Sequence, residues 1–108
     1  MRFKKIIFLL LILVLLNGCT KKQEIVKEEN TVIIQNFAFN PSTITVNKGT
    51  AITWTNEDSA PHIVKSEEIF ESETLSKSGS FAFTFDEPGT YEYLCKIHPY
   101  MKGSIIVN

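Results

Sequence analysis

From Thr31 to the end of the chain, the sequence consists of short segments in which apolar and polar residues alternate. The clearest of these is Phe81-Ala82-Phe83-Thr84-Phe85, where a Phe stands at every second position. Because successive side chains of a β-strand point to opposite faces, each such segment predicts a strand with one buried face. No part of this region repeats its apolar residues at the spacing of a helix, so the pattern restricts the domain to an all-β fold.

The predicted strands recur at short and regular intervals. They cover residues 32–34, 43–46, 51–56, 62–65, 81–85, 90–95 and 103–107. Turn-forming residues separate them, as in Asn47-Lys48-Gly49 and Asp86-Glu87-Pro88-Gly89. Residues 67–78 fit a loop, a helical turn or a weak edge strand. Many short strands with Gly- and Pro-containing turns favour a β-sandwich or barrel, here spanning residues 31–108.

The N-terminus has the features of an export signal. A basic start, Met1-Arg2-Phe3-Lys4-Lys5, precedes an uninterrupted apolar run over residues 6–16. That run is shorter than the roughly 20 residues a membrane-spanning helix needs, so residues 1–18 read as a secretion signal. Its end, Leu16-Asn17-Gly18-Cys19, resembles the lipobox of prokaryotic lipoproteins, in which the Cys is lipidated. The alternative is a retained apolar anchor, and both readings put the domain outside the cytoplasm at a membrane surface.

The segment after Cys19 is polar and highly charged, so residues 19–30 are expected to form a lipidated Cys followed by a flexible tether. The formal net charge of the whole chain is −1, which excludes the basic field of a nucleic-acid-binding protein. Acidic residues gather between Glu57 and Glu73. This gathering is either a solvated face, the interpretation we favour, or a docking patch for a basic redox partner.

The two cysteines lead to the candidate site. If Cys19 is lipidated, Cys95 has no disulfide partner, and an unpaired Cys outside the cytoplasm requires an explanation. A buried, inert thiol is one possibility. However, Cys95, His98 and Met101 follow one another at intervals of three residues, which suits one short loop folded around an ion. Cys95 also shares a strand face with Tyr91 and Tyr93, so we expect it to point inward at one pole of the sandwich.

The second histidine completes a recognisable set of metal ligands. His62 follows Pro61 and shares a strand face with Val64, so it can point inward at the same pole. A lone His is usually structural, but one thiolate, two imidazoles and a thioether together are the ligands of a copper site with a weak axial Met. We therefore predict a copper ion bound by four side chains: His62, Cys95, His98 and Met101. Zinc also binds Cys and His, but it makes poor use of a thioether.

These residues resemble the cupredoxins, in particular small ones of the plastocyanin and amicyanin type. The resemblance spans the domain and rests on four motifs: Asn40-Pro41-Ser42-Thr43-Ile44, Trp54-Thr55-Asn56, Pro61-His62 and the run from Pro88 to Met101. It implies a Greek-key sandwich of about eight strands and a partly exposed His98 within an apolar patch. Two positions depart from the family pattern: Ile63 replaces the usual Asn, and Lys96 replaces the usual Ser or Thr. A different set of contacts must hold the ligand loop in this chain.

The predicted activity is transfer of single electrons between redox proteins. With all four copper positions filled by protein, no position is open for a substrate, so we expect a carrier and not an enzyme. Pro99 and Tyr100, beside His98, are the predicted site of electron exchange with weakly bound, transient partners. The protein is expected to be a monomeric, exported lipoprotein. Two alternatives remain: copper capture or delivery at the cell surface, and a copper module of a larger oxidase or reductase.

Overall fold

The computed structural model describes residues 30–108, which form two packed β-sheets. The predicted signal, Cys19 and all but the last residue of the tether lie outside the described residues. The strands are β1 (Thr31–Gln35), β2 (Ala38–Asn40), β3 (Thr43–Val46), β4 (Thr50–Asn56), β5 (Val64–Ser66), β6 (Phe70–Glu71), β7 (Ser80–Phe85), β8 (Gly89–Cys95) and β9 (Lys102–Val107). Over residues 30–108 there is no helix of the length and apolarity needed to cross a membrane.

The chain passes repeatedly from one sheet to the other. One sheet has the strand order β2-β1-β4-β7 and the other has the order β3-β9-β8-β5-β6. β1 pairs with β4 in parallel, as β3 does with β9, and the other neighbours are antiparallel. Consecutive strands therefore often lie in different sheets, and the predicted all-β Greek-key sandwich is confirmed.

The inward faces of the strands form a single apolar core. In β4 the alternation works as predicted, since Ile52 and Trp54 are fully buried and Thr53 and Thr55 are not. The indole of Trp54 lies at the centre, with its ring 5.4 Å from that of Tyr93 in the facing sheet. Phe85 is buried at the end of β7, and Phe81 and Phe83 pack against the same core. Aromatic rings from both sheets thus fill the space between them.

The structure adds strands that the sequence pattern did not predict. β2 and β6 contain three and two residues, too few for a recognisable alternation. The ambiguous segment, residues 67–78, contains β6 at the sheet edge together with a loop. β5 starts at Val64 rather than at the predicted His62, which instead forms an isolated bridge to Leu75. The described strands therefore number nine, against the expected eight or so.

Candidate metal centre

Cys95 lies at the end of β8, with its side chain completely buried. Tyr93, two residues earlier, is also buried, so the predicted inward parity of these residues is confirmed. Cys95 stands opposite Val64 of the neighbouring strand β5. Its thiol is free, and its position is at the pole where β8 leaves the sandwich.

The loop after β8 closes on itself through backbone hydrogen bonds. The amide of Cys95 donates to the carbonyl of Met101 at 3.1 Å, and the amide of Met101 donates to His98 at 2.9 Å. A third bond, 3.1 Å long, runs from the amide of His98 to the carbonyl of Cys95. Met101 is buried and His98 is half-buried. The three-residue spacing therefore holds all three predicted ligands in one tight loop.

His62 reaches the same pole from the other side. Its backbone is held by Leu75, through bonds of 3.1 and 2.8 Å in the two directions. Its imidazole is fully buried, and Nδ1 lies 3.6 Å from the Sγ of Cys95. Residues separated by 33 positions in the chain are thus brought into side-chain contact.

The other nitrogen of His62 is bound by an acidic residue that the sequence did not single out. Nε2 lies 2.9 Å from a carboxylate oxygen of Asp58, whose side chain is only 11% exposed. Burial raises the pKa of Asp58, but hydrogen bonds from Phe37, His62 and Asn36 together hold that pKa below its ordinary value. At 2.9 Å the Nε2 of His62 can donate to this carboxylate, and in the neutral tautomer that carries its hydrogen on Nε2 the lone pair of Nδ1 points toward Cys95.

Contacts of Ile63 and Lys96 tie the loop after β8 to neighbouring segments. The amide of Lys96 donates to the carbonyl of Ile63 at 2.9 Å, which ties the ligand loop to the segment after His62. The side chain of Lys96 reaches strand β6, with its Nζ 2.8 Å from a carboxylate oxygen of Glu71. Hydrogen bonds from Lys96 and then Lys65 lower the pKa of Glu71. The loop is therefore held by a main-chain bond and an exposed ion pair.

An aromatic side chain missed by the sequence analysis lies across both imidazoles. The Phe37 ring stands edge-on to His62 at 5.3 Å and to His98 at 5.1 Å between ring centroids. The two imidazoles are themselves 5.2 Å apart. Phe37 occupies the turn between β1 and β2, and the available signal in the sequence was a Phe directly after the turn-forming Asn36. With Pro99 and Tyr100, both exposed, it surrounds His98.

The contact between Cys95 and His62 fits a shared metal ion. Thiolate and imidazole bonds of about 2.3 and 2.0 Å, the lengths at zinc, separate sulfur and nitrogen by about 3.5 Å at a tetrahedral angle. The observed separation is 3.6 Å. Within residues 30–108, however, no three side chains of the His, Cys, Asp and Glu types gather into a metal-binding group. Among the predicted ligands, the Cys95 thiol and the His62 imidazole approach each other at 3.6 Å, and the two imidazoles pack edge-on.

The fold and this pair define a class: small two-sheet proteins with a thiol and an imidazole buried at one pole. The family model for the cupredoxin-like domain matches residues 6–107. Amicyanin-alpha of Methylorubrum extorquens is 35% identical over 91 residues, or 79% of this chain and 76% of that protein. A solved amicyanin variant in its Cu(I) form superposes with a TM-score of 0.72 at 28% identity, covering 79% of this chain and 87% of that one.

The alignment with a second relative is shorter. Amicyanin of Paracoccus versutus is 36% identical over 70 residues, which are 59% of this chain and 53% of that protein. The chain thus spans about half the length of that relative. Taken with the matched family model, the similarity to amicyanin-alpha establishes the assignment: the chain belongs to the cupredoxin-like domain family.

Proposed function

We propose that the protein is a blue-copper electron carrier in which His62, Cys95, His98 and Met101 bind one copper ion. The observation that carries the proposal is the buried contact of 3.6 Å between Cys95 Sγ and His62 Nδ1, beneath the loop that bears the other two ligands. The similarity to amicyanins, one of them solved as a Cu(I) form, supports copper over zinc. Thiolate and thioether favour Cu(I), and imidazole suits both oxidation states.

The bound copper would supply one-electron chemistry, by changing between Cu(II) and Cu(I). The protein's contribution is to hold the ligands in an arrangement that both states accept. His62 and Cys95 are fully buried in the sandwich, and the loop carrying His98 and Met101 is closed by its own backbone bonds. Four ligands from the protein leave no open position for a substrate, so the chain carries electrons and does not transform a bound molecule.

The test is the visible spectrum of the purified protein after addition of Cu(II). A thiolate ligand is expected to give an intense visible band with one copper per chain. Cys95→Ser should abolish the band, whereas the matched variant Cys19→Ser, which removes the other cysteine, should keep it. A colourless Cu(II) complex of the wild-type protein would contradict the proposal. Rapid transfer of the copper to an acceptor, without reversible reduction, would instead favour copper capture or delivery.

Electrons are proposed to pass through an apolar patch around His98. Three exposed apolar side chains surround this ligand: Phe37 at 40% exposure, Ile97 at 43% and Tyr100 at 68%. Pro99, also exposed, lies next to His98 in the chain. The half-buried imidazole of His98 is the shortest path from the ligand cluster to solvent. A small apolar surface suits redox partners that bind weakly and dissociate quickly, and the chain itself is proposed to be a monomer.

We further propose that the domain is exported and attached to a membrane through a lipid on Cys19. Support comes from the basic start, the apolar run over residues 6–16 and the Gly18-Cys19 pair. A polar tether up to residue 30 would let the domain reach partners at the membrane surface.

A further inference from the structure

Two backbone amides and one imidazole nitrogen, from two separate segments, converge on the carboxylate of Asp58. Oδ1 accepts the amide of Asn36 at 2.8 Å, and Oδ2 accepts the amide of Phe37 at 3.0 Å. Oδ2 also lies 2.9 Å from Nε2 of His62. Asp58 in turn is fixed from behind, because its own amide donates to the side-chain oxygen of the buried Asn56 at 2.8 Å.

Only a carboxylate can satisfy all three donors. Both of its oxygens accept, whereas an amide of the same shape offers one oxygen and one NH₂ group that donates. An Asn at position 58 would therefore direct a donor at either Asn36 or at Phe37 and His62. Hydrogen bonds to an ionised acceptor are also roughly twice as strong as those between neutral groups.

The turn held by Asp58 has an unfavourable backbone conformation. Asn36 and Phe37 have φ angles of 57° and 56°, in the left-handed region. Two consecutive residues of this kind form the hairpin turns that favour Gly, and for a bulky side chain the conformation is costly. Phe37 nevertheless stands there, and its ring contacts both imidazoles. Strain kept at such a position is a sign of a functional constraint.

We propose that Asp58 is a positioning residue that couples the buried ligand His62 to the exposed ring of Phe37, an inference that rests on the proposed copper function. One side of the carboxylate orients the imidazole and keeps its Nδ1 lone pair toward Cys95. The other side holds the turn that sets Phe37 between His62 and His98. The ligand cluster and the surface that meets a redox partner thus share a single anchor.

This coupling has a consequence for the copper. A full negative charge hydrogen-bonded to a ligand stabilises the more positive oxidation state, Cu(II), across a partly buried path where charges are weakly screened. Asp58→Asn removes the charge and disturbs the anchor. Glu57→Gln is the matched control, since it removes a neighbouring carboxylate from the same loop, and no hydrogen bond or ion pair of that side chain occurs in the described part of the chain.

The first experiment measures the reduction potential of both copper-loaded variants. For Asp58→Asn we expect the ratio of oxidised to reduced protein at a given applied potential to fall at least tenfold. For a one-electron couple this corresponds to a rise of the reduction potential by about 59 mV. Glu57→Gln should stay near the wild-type value, and both variants should keep the visible band. If Asp58→Asn and Glu57→Gln share the wild-type potential, Asp58 is not a positioning residue, and the copper function is untouched.

The second experiment uses the metal-free wild-type protein, so it requires neither copper nor a substitution. Nitrogen-15 NMR of the metal-free wild-type protein should find the hydrogen of His62 on Nε2, and the amides of Asn36 and Phe37 should exchange slowly with solvent despite lying in an exposed turn. A hydrogen on Nδ1, or rapid exchange at both amides, would overturn the inference whatever the spectrum of the copper protein. The two experiments can thus contradict the proposed role of Asp58 without contradicting the proposed copper function.

Discussion

At the pole of the sandwich, three of the four proposed ligands are buried and only one, His98, is partly exposed. Cys95 and His62 are completely enclosed, and their contact depends on strands β8 and β5 lying side by side. His98 is half-buried and ringed by apolar side chains, and Met101 is buried beneath the loop. Enclosed ligands hold a metal rigidly, while an accessible one offers a route for electrons.

Met101 is expected to tune the copper more than to bind it. As a proposed weak ligand, its thioether would contribute little to copper affinity. Met101→Leu should keep the visible band and raise the reduction potential, because loss of an axial donor disfavours Cu(II) more than Cu(I). Cyclic voltammetry measures the shift. An unchanged potential would mean that Met101, which is buried, serves only as core packing.

Tyr100 is the most exposed apolar residue of the patch and is therefore the best place to test docking. Tyr100→Lys adds a charge without replacing a proposed ligand, so it should slow electron self-exchange while leaving the visible spectrum nearly intact. Ile69→Lys is the matched control, because Ile69 is also exposed. Ile69 follows β5 at its Ser66 end, whereas Val64, at the other end, pairs with Cys95. Equal exchange rates in both variants and the wild type would shift attention to the acidic residues between Glu57 and Glu73.

At the scale of elements, the β8–β9 hairpin carries three of the four proposed ligands. Cys95 ends β8, and Met101 immediately precedes β9, so the register of the hairpin sets the geometry of the loop. In that register Tyr93 stands opposite Gly103. A Cβ added at Gly103 would lie 2.3 Å from the ring of Tyr93, far inside normal contact. The absence of a side chain at Gly103 thus leaves the space that the Tyr93 ring occupies.

Gly103→Ala is accordingly expected to destabilise the domain. Overpacking of a well-packed core costs about 1 to 3 kcal/mol, and here the ring is held by Trp54 and Phe39 and cannot move aside freely. Urea unfolding of the metal-free protein measures the loss. Gly49→Ala is not a suitable control, because Gly49 has a φ of 87° and open space around it. The control is the double variant Tyr93→Leu with Gly103→Ala, which should be more stable than Gly103→Ala alone. No loss in Gly103→Ala would show that the ring can be displaced.

Across the whole molecule, burial of polar aromatic groups links stability to alkaline pH. The hydroxyl of Tyr93 and the indole N–H of Trp54 have no hydrogen-bond partner among the described residues. Burial raises the pKa of Tyr93 from 10.0 to about 12, and the nearby indole of Trp54 offsets this only in part. The folded state therefore retains a proton that the unfolded chain releases.

The free energy of unfolding should be independent of this group below about pH 10 and fall as the pH rises from 10 to about 12. A shift of two pKa units corresponds to at most about 3 kcal/mol. Tyr93→Phe should remove this part of the alkaline loss, whereas Tyr100→Phe, at an exposed position, should not. Denaturant titrations at a series of pH values provide the comparison. If the free energy of unfolding falls equally steeply with pH in Tyr93→Phe and in the wild type, Tyr93 is not the source of the alkaline loss of stability.

The proposed attachment to a membrane also concerns the chain as a whole. Cys19→Ala should yield a protein without an acyl modification, found outside the lipidated membrane fraction, because the residue that would carry the lipid is absent. Mass spectrometry of the N-terminal peptide reads out the modification directly, and Thr20→Ala serves as the neighbouring control. An acyl group of the same mass in Cys19→Ala would exclude Cys19 as its site.

The sequence by itself determined the features that depend on near neighbours in the chain. Alternation in β4, β7 and β8 predicted which side chains face the core, since side-chain direction along a strand repeats every two residues. The same parity turned Cys95 inward, and three-residue spacing brought the predicted ligands of the loop together. β2 and β6 were missed because two or three residues do not make a period.

Only the tertiary structure decided the contacts between distant loops. Asp58 lies 21 and 22 residues from the amides it accepts, and nothing in their local sequence marks the pairing. It arises because β1 and β4 run in parallel as neighbours, which brings the turn after β1 next to the loop after β4. The ring of Phe37 reaches His62, which also follows β4, for the same reason. Its contact with His98, which follows β8, depends on how the two sheets pack together. Local periodicity specifies the faces of strands, whereas the pairing of strands specifies which loops meet.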